Sequence, residues 1–204
     1  MAKEFKPEGN NILKDSHILV IGGAGYVGSV LVRKLLSQGF KVRILDRLIY
    51  DNGSTLYELL EEDNFSFIYG DFGDEVLLSK ALENITDVVL LAALVGDPIC
   101  KKYPELARNT NITNPKKLVQ QMTGKKIKKF VFTSTCSNYG LRFDDSLATE
   151  DSELNPQSLY AESKVEFEKY VLGAIDGLDF SPVIMRLSTA FGMSKRMRFD
   201  LTIS

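Results

Sequence analysis

The sequence predicts an α/β fold: a doubly wound parallel sheet of order 3-2-1-4-5-6 with helices on both faces. Three observations carry that expectation. Short apolar runs alternate with longer stretches of helical period. The runs at 18–21 and 88–91 are apolar throughout, as strands buried on both faces are. The first run leads directly into Gly22-Gly-Ala-Gly25-Tyr-Val-Gly28, a glycine-spaced turn between a strand and a helix.

Residues 17–21 are the first predicted strand. Residues 26–38 have helical period, with Val27, Val30, Leu31 and Leu35 on one face, and Gly39 stands where that helix stops. The second strand covers 41–45 and ends at Asp46. A short helix is expected over 55–62, and the third strand over 65–69, ahead of Gly70-Asp71. A helix over 75–82 precedes the fourth strand, 87–91. Residues 104–122 read as one long helix that Pro115 bends or divides. The fifth strand covers 129–133. The helix over 156–172 is expected to use Asn155 as N-cap and Pro156 in its first position. The sixth strand covers 182–187. Residues 1–14 read as a flexible leader.

Composition narrows the function classes. The chain has 204 residues, 27 acidic and 25 basic, for a net charge of −2. That balance argues against a general nucleic-acid footprint. The lysines at 125, 126, 128 and 129 read as the solvated end of a helix. Only Cys100 and Cys136 are present, without C-x-x-C spacing, so neither a disulfide framework nor a metal site is expected. No apolar run approaches membrane-spanning length, and residues 1–11 lack the apolar core of a signal peptide. These features predict a cytoplasmic protein in a reducing compartment, with no membrane partner. His17, the only histidine, sits at the start of the first strand and suits a structural role.

The glycine turn is suited to a dinucleotide. Gly22 allows the tight turn, Gly25 lets the backbone approach phosphates, and Gly28 lets the helix pack close. The N–H groups around Tyr26 and Val27 would meet the pyrophosphate. Asp46 lies at the tip of the second strand, where a carboxylate accepts ribose hydroxyls and repels a 2′-phosphate. NAD is therefore expected over NADP, although Arg47 next door could pair with that phosphate. Asp71, with Phe72 beside it, is expected near the adenine; a turn aspartate is the alternative. Leu91, Ala92 and Ala93 end the fourth strand, where small residues leave room for a cofactor, as they also fill packed loops.

Tyr160 and Lys164 are four apart in a helical segment and share a face. An ammonium there lowers the cost of ionising the phenol. Thr135 follows the fifth strand, where its hydroxyl could lie beside that phenol or merely cap a turn.

These motifs fall in one order: the glycine turn, Asp46, Gly70-Asp71, Leu91-Ala-Ala93, Asn111, Ser134-Thr135 with Tyr139-Gly140, Tyr160-x-x-x-Lys164, and Arg186 with Phe191-Gly192. In that combination the chain resembles the extended short-chain dehydrogenase/reductases, specifically the NAD-dependent epimerase/dehydratase family that modifies nucleotide sugars. The resemblance covers residues 17 to 200. It implies a Rossmann-type domain over 15–192 and a catalytic set of Thr135, Tyr160 and Lys164 supported by Asn111. Tyr160 and Lys164 would also contact the cofactor. It further implies substrate contacts from Thr135, Tyr160, Thr189 and Arg196. The expected activity is epimerisation of a nucleotide-diphosphate sugar through a transient keto intermediate. A keto-sugar reductase, a dehydratase or a silent NAD-binding module are the alternatives. Dehydratases carry Asp-Glu after the active-site threonine, and here stand Cys136-Ser137. Many members have an asparagine where this chain has Thr189; Lys195, Arg196 and Arg198 could pair with the diphosphate instead. Residues 193–204 are expected to begin a substrate-binding region that is otherwise largely absent. A homodimer through the helices at 104–122 and 156–172 is the expected assembly.

Overall fold

Six strands join in one parallel sheet: β1 (His17–Ile21), β2 (Lys41–Asp46), β3 (Phe65–Tyr69), β4 (Asp87–Leu90), β5 (Lys129–Thr135) and β6 (Ser181–Leu187). Their order is β3-β2-β1-β4-β5-β6, as the sequence predicts. The computed structural model describes residues 15–141 and 147–198. The predicted leader and residues 199–204 lie outside the described residues.

The central strand β1 alternates its side chains between two cores. Leu19 and Ile21 join Leu78, Leu118, Phe130, Phe132 and Phe167 on one side. Ile18 and Val20 join Val32, Val42, Ile44 and Leu56 on the other. Helices α2 (Glu75–Ala81), α5 (Asn114–Met122) and α6 (Leu159–Gly173) cover the first face; α1 (Tyr26–Ser37) covers the second. Phe167 meets Phe130 and Phe132 edge-on, at centroid separations of 6.4 and 4.7 Å, an arrangement favoured by the ring quadrupoles. β1 pairs with β2 on one side and β4 on the other. The order reverses there, so a crevice opens at the carboxyl ends of these strands.

Several local expectations are corrected. The buried face of α1 is Gly28, Ser29 and Val32, whereas Val27 and Val30 are exposed. Glycine and serine carry no hydrophobic signal, yet they stand where the helix comes closest to the turn. The helix expected over 55–62 is a 3-10 helix, Gly53–Leu59. The stretch from 104 to 122 is α4 (Pro104–Arg108), a π-helical turn (Asn109–Thr113) and α5. Pro115 has no N–H and crowds the carbonyl of residue 111, so the ladder widens just before it and Asn114 N–H donates to Asn109 O. A further helix, α3 (Asp97–Lys102), was not expected. Its Pro98 in the first turn, acidic Asp97 and basic Lys101 and Lys102 were the available signals. Helix α6 starts three residues later than expected. Ser158, not Asn155, is the N-cap, accepting from Ala161 N at 3.3 Å. Asn155 is instead tied to the turn after β5, donating its N–H to Asn138 O at 2.9 Å.

Candidate active site

The glycine turn is shaped by contacts that leave no room for side chains. Gly22 has φ of +86° and donates its N–H to Leu45 O at 2.9 Å; a Cβ on it would lie 2.6 Å from Ala92 N. A Cβ on Gly28 would lie 2.5 Å from Gly22 O, so α1 rests directly on the turn. No side chain caps the start of α1 and its first turn holds no acid. The amides at Tyr26 and Val27 therefore form a positive helix end free of a competing carboxylate, the setting a pyrophosphate fits.

Asp46 supports this turn from β2. Its Oδ2 accepts from Ala24 N at 3.0 Å and its Oδ1 from Leu48 N at 2.9 Å. Burial raises its pKa, and those backbone bonds oppose the rise. Asn52, which sequence reasoning missed, donates to Ala24 O at 2.6 Å, while its buried Oδ1 has no partner. That acceptor fits a ligand carrying a hydroxyl donor, as a dinucleotide's ribose does, and not a phosphate oxygen. Arg47 pairs with Asp71 at 2.8 Å, and Asp71 also accepts from Gly73 N at 2.8 Å. Asp71 thus acts as a turn aspartate, and Arg47 is held by it. The ring of Phe72 beside it is buried in the core. Leu91 and Ala92 both donate their N–H groups to Ile21 O at 2.9 Å, and half-buried Ala93 follows them.

The other end of the crevice holds the phenol and ammonium. Tyr160 and Lys164 lie on α6, with Tyr160 packed against Leu94, Cys100 and Ala107. Burial pushes the phenol up to about 12, with Cys100 adding to the rise and Arg198 opposing it. Lys164 is 3% exposed. Its Nζ donates to Thr133 O at 2.9 Å and lies 4.6 Å from the Phe132 ring centre and 5.7 Å from that of Tyr160. Burial lowers its pKa to about 7, against the pull of Glu168. Thr135 ends β5 and caps the 3-10 turn Cys136–Tyr139; its Oγ1 accepts from Ser137 N at 3.2 Å and donates to Ser137 Oγ at 3.2 Å.

Asn111 lies within the π turn and is buried. Its Oδ1 accepts from Leu94 N at 2.8 Å; its Nδ2 donates to Leu94 O at 3.0 Å and Ser163 Oγ at 3.3 Å. Ser163 Oγ donates in turn to Tyr160 O at 2.6 Å. Asn111 therefore joins the loop after β4 to the first turn of α6, which carries Tyr160.

The two remaining substrate candidates follow β6. Thr189 is exposed after β6. Arg196 lies on a segment that returns to α1, its guanidinium 4.3 Å from the Tyr50 ring centre. Tyr26 Oη donates to Gly192 O at 2.8 Å, Ser194 Oγ to Tyr26 O at 2.7 Å, and Lys195 pairs with Glu58 at 2.7 Å. Both cysteines are free, and among the described residues no cluster of His, Cys, Asp and Glu could hold a metal ion. Among them, too, no helix is long and apolar enough to cross a membrane.

A doubly wound sheet with a dinucleotide-type turn at its reversal and a Tyr-x-x-x-Lys helix at the same edge defines a Rossmann-type domain. The chain belongs to the NAD dependent epimerase/dehydratase family, whose model matches residues 18–203. It is 36% identical over 168 residues to the UDP-glucose 4-epimerase of Lactobacillus helveticus, covering 80% of this chain and 49% of that one. It is 31% identical to UDP-arabinose 4-epimerase 1 of Arabidopsis thaliana, covering 87% of this chain and 43% of that one. Among solved structures, the UDP-glucuronic acid 4-epimerase of Bacillus cereus in complex with NAD superposes with a TM-score of 0.78 at 29% identity, over 86% of this chain and 57% of that one. The chain thus spans about half the length of these relatives.

Proposed function

We propose that the chain is the cofactor and catalytic part of an NAD-dependent 4-epimerase acting on a nucleotide-diphosphate sugar in the cytoplasm. The observation that carries this is the placement of Tyr160, Lys164 and Thr135 at the sheet edge that also bears the glycine turn. The relatives' activities on UDP-sugars support it. When bound, NAD supplies a hydride acceptor and, on the return, a hydride donor. Tyr160 takes the proton of the sugar hydroxyl as the carbon is oxidised to the ketone, and returns it when the keto sugar is reduced on its other face. Lys164 stabilises the phenolate against the burial that opposes it. Thr135 orients the sugar oxygen. Asp46, with Arg47 engaged by Asp71, favours NAD over NADP.

The test is incubation of the NAD-loaded protein with UDP-, GDP- and dTDP-hexoses without added reductant. Epimers should form, and Tyr160→Phe should abolish them while leaving NAD affinity near normal. Loss of both together contradicts the role given to Tyr160. A second reading is an NAD-binding module without turnover; NAD binding with no product in any arm identifies it. Stoichiometric NADH consumption with a keto sugar identifies a reductase.

A further inference from the structure

Helix α6 carries Tyr160, Lys164 and Glu168 at intervals of four, so their side chains form one stripe. The first two have roles in the proposed chemistry. Glu168 has none, yet it is 1% exposed. A buried carboxylate is costly unless paired and hydrogen-bonded. Arg186 of β6 meets it with Nη2 at 2.7 Å from Oε2 and Nε at 3.1 Å from the same oxygen, and Asn138 Nδ2 donates to Oε1 at 2.8 Å. The fold thus gives the buried Glu168 carboxyl an ion-pair partner and a hydrogen-bond donor.

The partners of Glu168 lie on the strand and the turn beside Thr135. Asn138 lies in the turn that Thr135 caps, and its Nδ2 also donates to Ser134 Oγ at 3.0 Å. Arg186 is in register with Ser134 and donates from Nη1 to Tyr139 Oη at 3.0 Å. One carboxylate therefore joins α6, β6 and the turn after β5. It is also the anion on the stripe of Lys164. The groups around that ammonium and its phenol are Tyr160 and Glu168 on α6, Arg186 on β6, Cys136 on the turn, Cys100 on α3, and Arg198, which acts on Tyr160 by charge. Among them Glu168 supplies the negative charge that favours the protonated lysine.

We propose that Glu168 is a positioning residue that acts through Lys164: braced by Arg186 and Asn138, its carboxylate keeps the ammonium beside Tyr160 charged and fixes α6 against the turn capped by Thr135. The proposal rests on the reading that Lys164 contacts the bound dinucleotide.

The experiment is NADH affinity, read by fluorescence, from about pH 6 to about pH 9 for wild type, Lys164→Met and Glu168→Gln. Wild-type affinity should fall as rising pH discharges Lys164, and Lys164→Met should flatten that fall. Glu168→Gln keeps the shape and hydrogen-bonding oxygen but not the charge. Its fall should come about one pH unit lower, giving roughly tenfold weaker binding on the falling limb, with unchanged circular dichroism. A residue that only braces the fold would not move the midpoint. If Glu168→Gln does not fold, Glu168→Met with Arg186→Met removes both charges at similar volume, a change buried pairs often tolerate, and must still show a downward displacement, smaller because the Arg186 cation leaves with the carboxylate. NADH binding with superimposed profiles, or a fall that persists in Lys164→Met, overturns this proposal alone. A wild-type protein that binds no NADH overturns the cofactor reading and this proposal together.

Discussion

At Lys164, burial and chemistry oppose each other. Its folded pKa is lowered from 10.5 to about 7, chiefly by burial. Between those values the unfolded chain holds a proton that the folded chain has shed, so stability rises with pH across that window. Below it the cost of burying the charge is fully present. Denaturation at steps from about pH 7 to pH 9 should show a rise of up to about 1.4 kcal/mol per pH unit, absent in Lys164→Met. Tyr160 acts in the opposite sense, but only between its ordinary 10.0 and about 12. Asp46 makes a second residue-scale test. Asp46→Ala should weaken NAD and narrow its preference over NADP. It should also cost about 1–3 kcal/mol, because the Ala24 and Leu48 amides lose their acceptor. Equal affinities for both cofactors before and after the change would remove Asp46 from the site. Asp46, Tyr160 and Lys164 were legible as strand-end and helix-face residues. Glu168 was not, since a charge on a helix ordinarily reads as a solvated face, and only its burial against Arg186 of β6 shows otherwise.

Among the elements, the glycine turn was the most legible, because its spacing encodes close backbone approach. Gly28→Ala would push a Cβ to 2.5 Å from Gly22 O and 2.7 Å from Gly23 Cα, both backbone atoms. The expected cost is about 1–3 kcal/mol in urea, with weaker NADH binding as the start of α1 shifts. Gly173→Ala, with open space around it, serves as the control and should change stability by less than about 0.5 kcal/mol. Equal effects at the two positions would argue against close packing of α1 on the turn. Helix boundaries were less legible. Asn155-Pro156 and Ser158 are both sound starting signals, and the choice fell to Ser158 because the backbone of Asn155 is engaged by Asn138. The π turn reflects Pro115 acting on an otherwise continuous helical run, so sequence gave the break but not its form.

For the whole molecule, strand order followed from the alternation of runs and the single reversal after the first unit. Assembly is the open matter at this scale, and a homodimer is the proposal. A shallow groove between α5 and α6, lined by Ile112, Lys116 and Glu166, lies on the face where two such helix pairs would meet, and Lys116 pairs there with Glu166 at 2.7 Å. Sedimentation equilibrium should give twice the chain mass, and Lys116→Glu with Lys117→Glu should return it to one. A monomer at all concentrations would exclude the assembly. The returning segment after β6 has a consequence in time. Its bonds to Tyr26, Ser29 and Glu58 join residues 137 to 168 positions apart. A chain leaving the ribosome amino end first therefore exposes its glycine turn early and closes it only when the last strand has emerged.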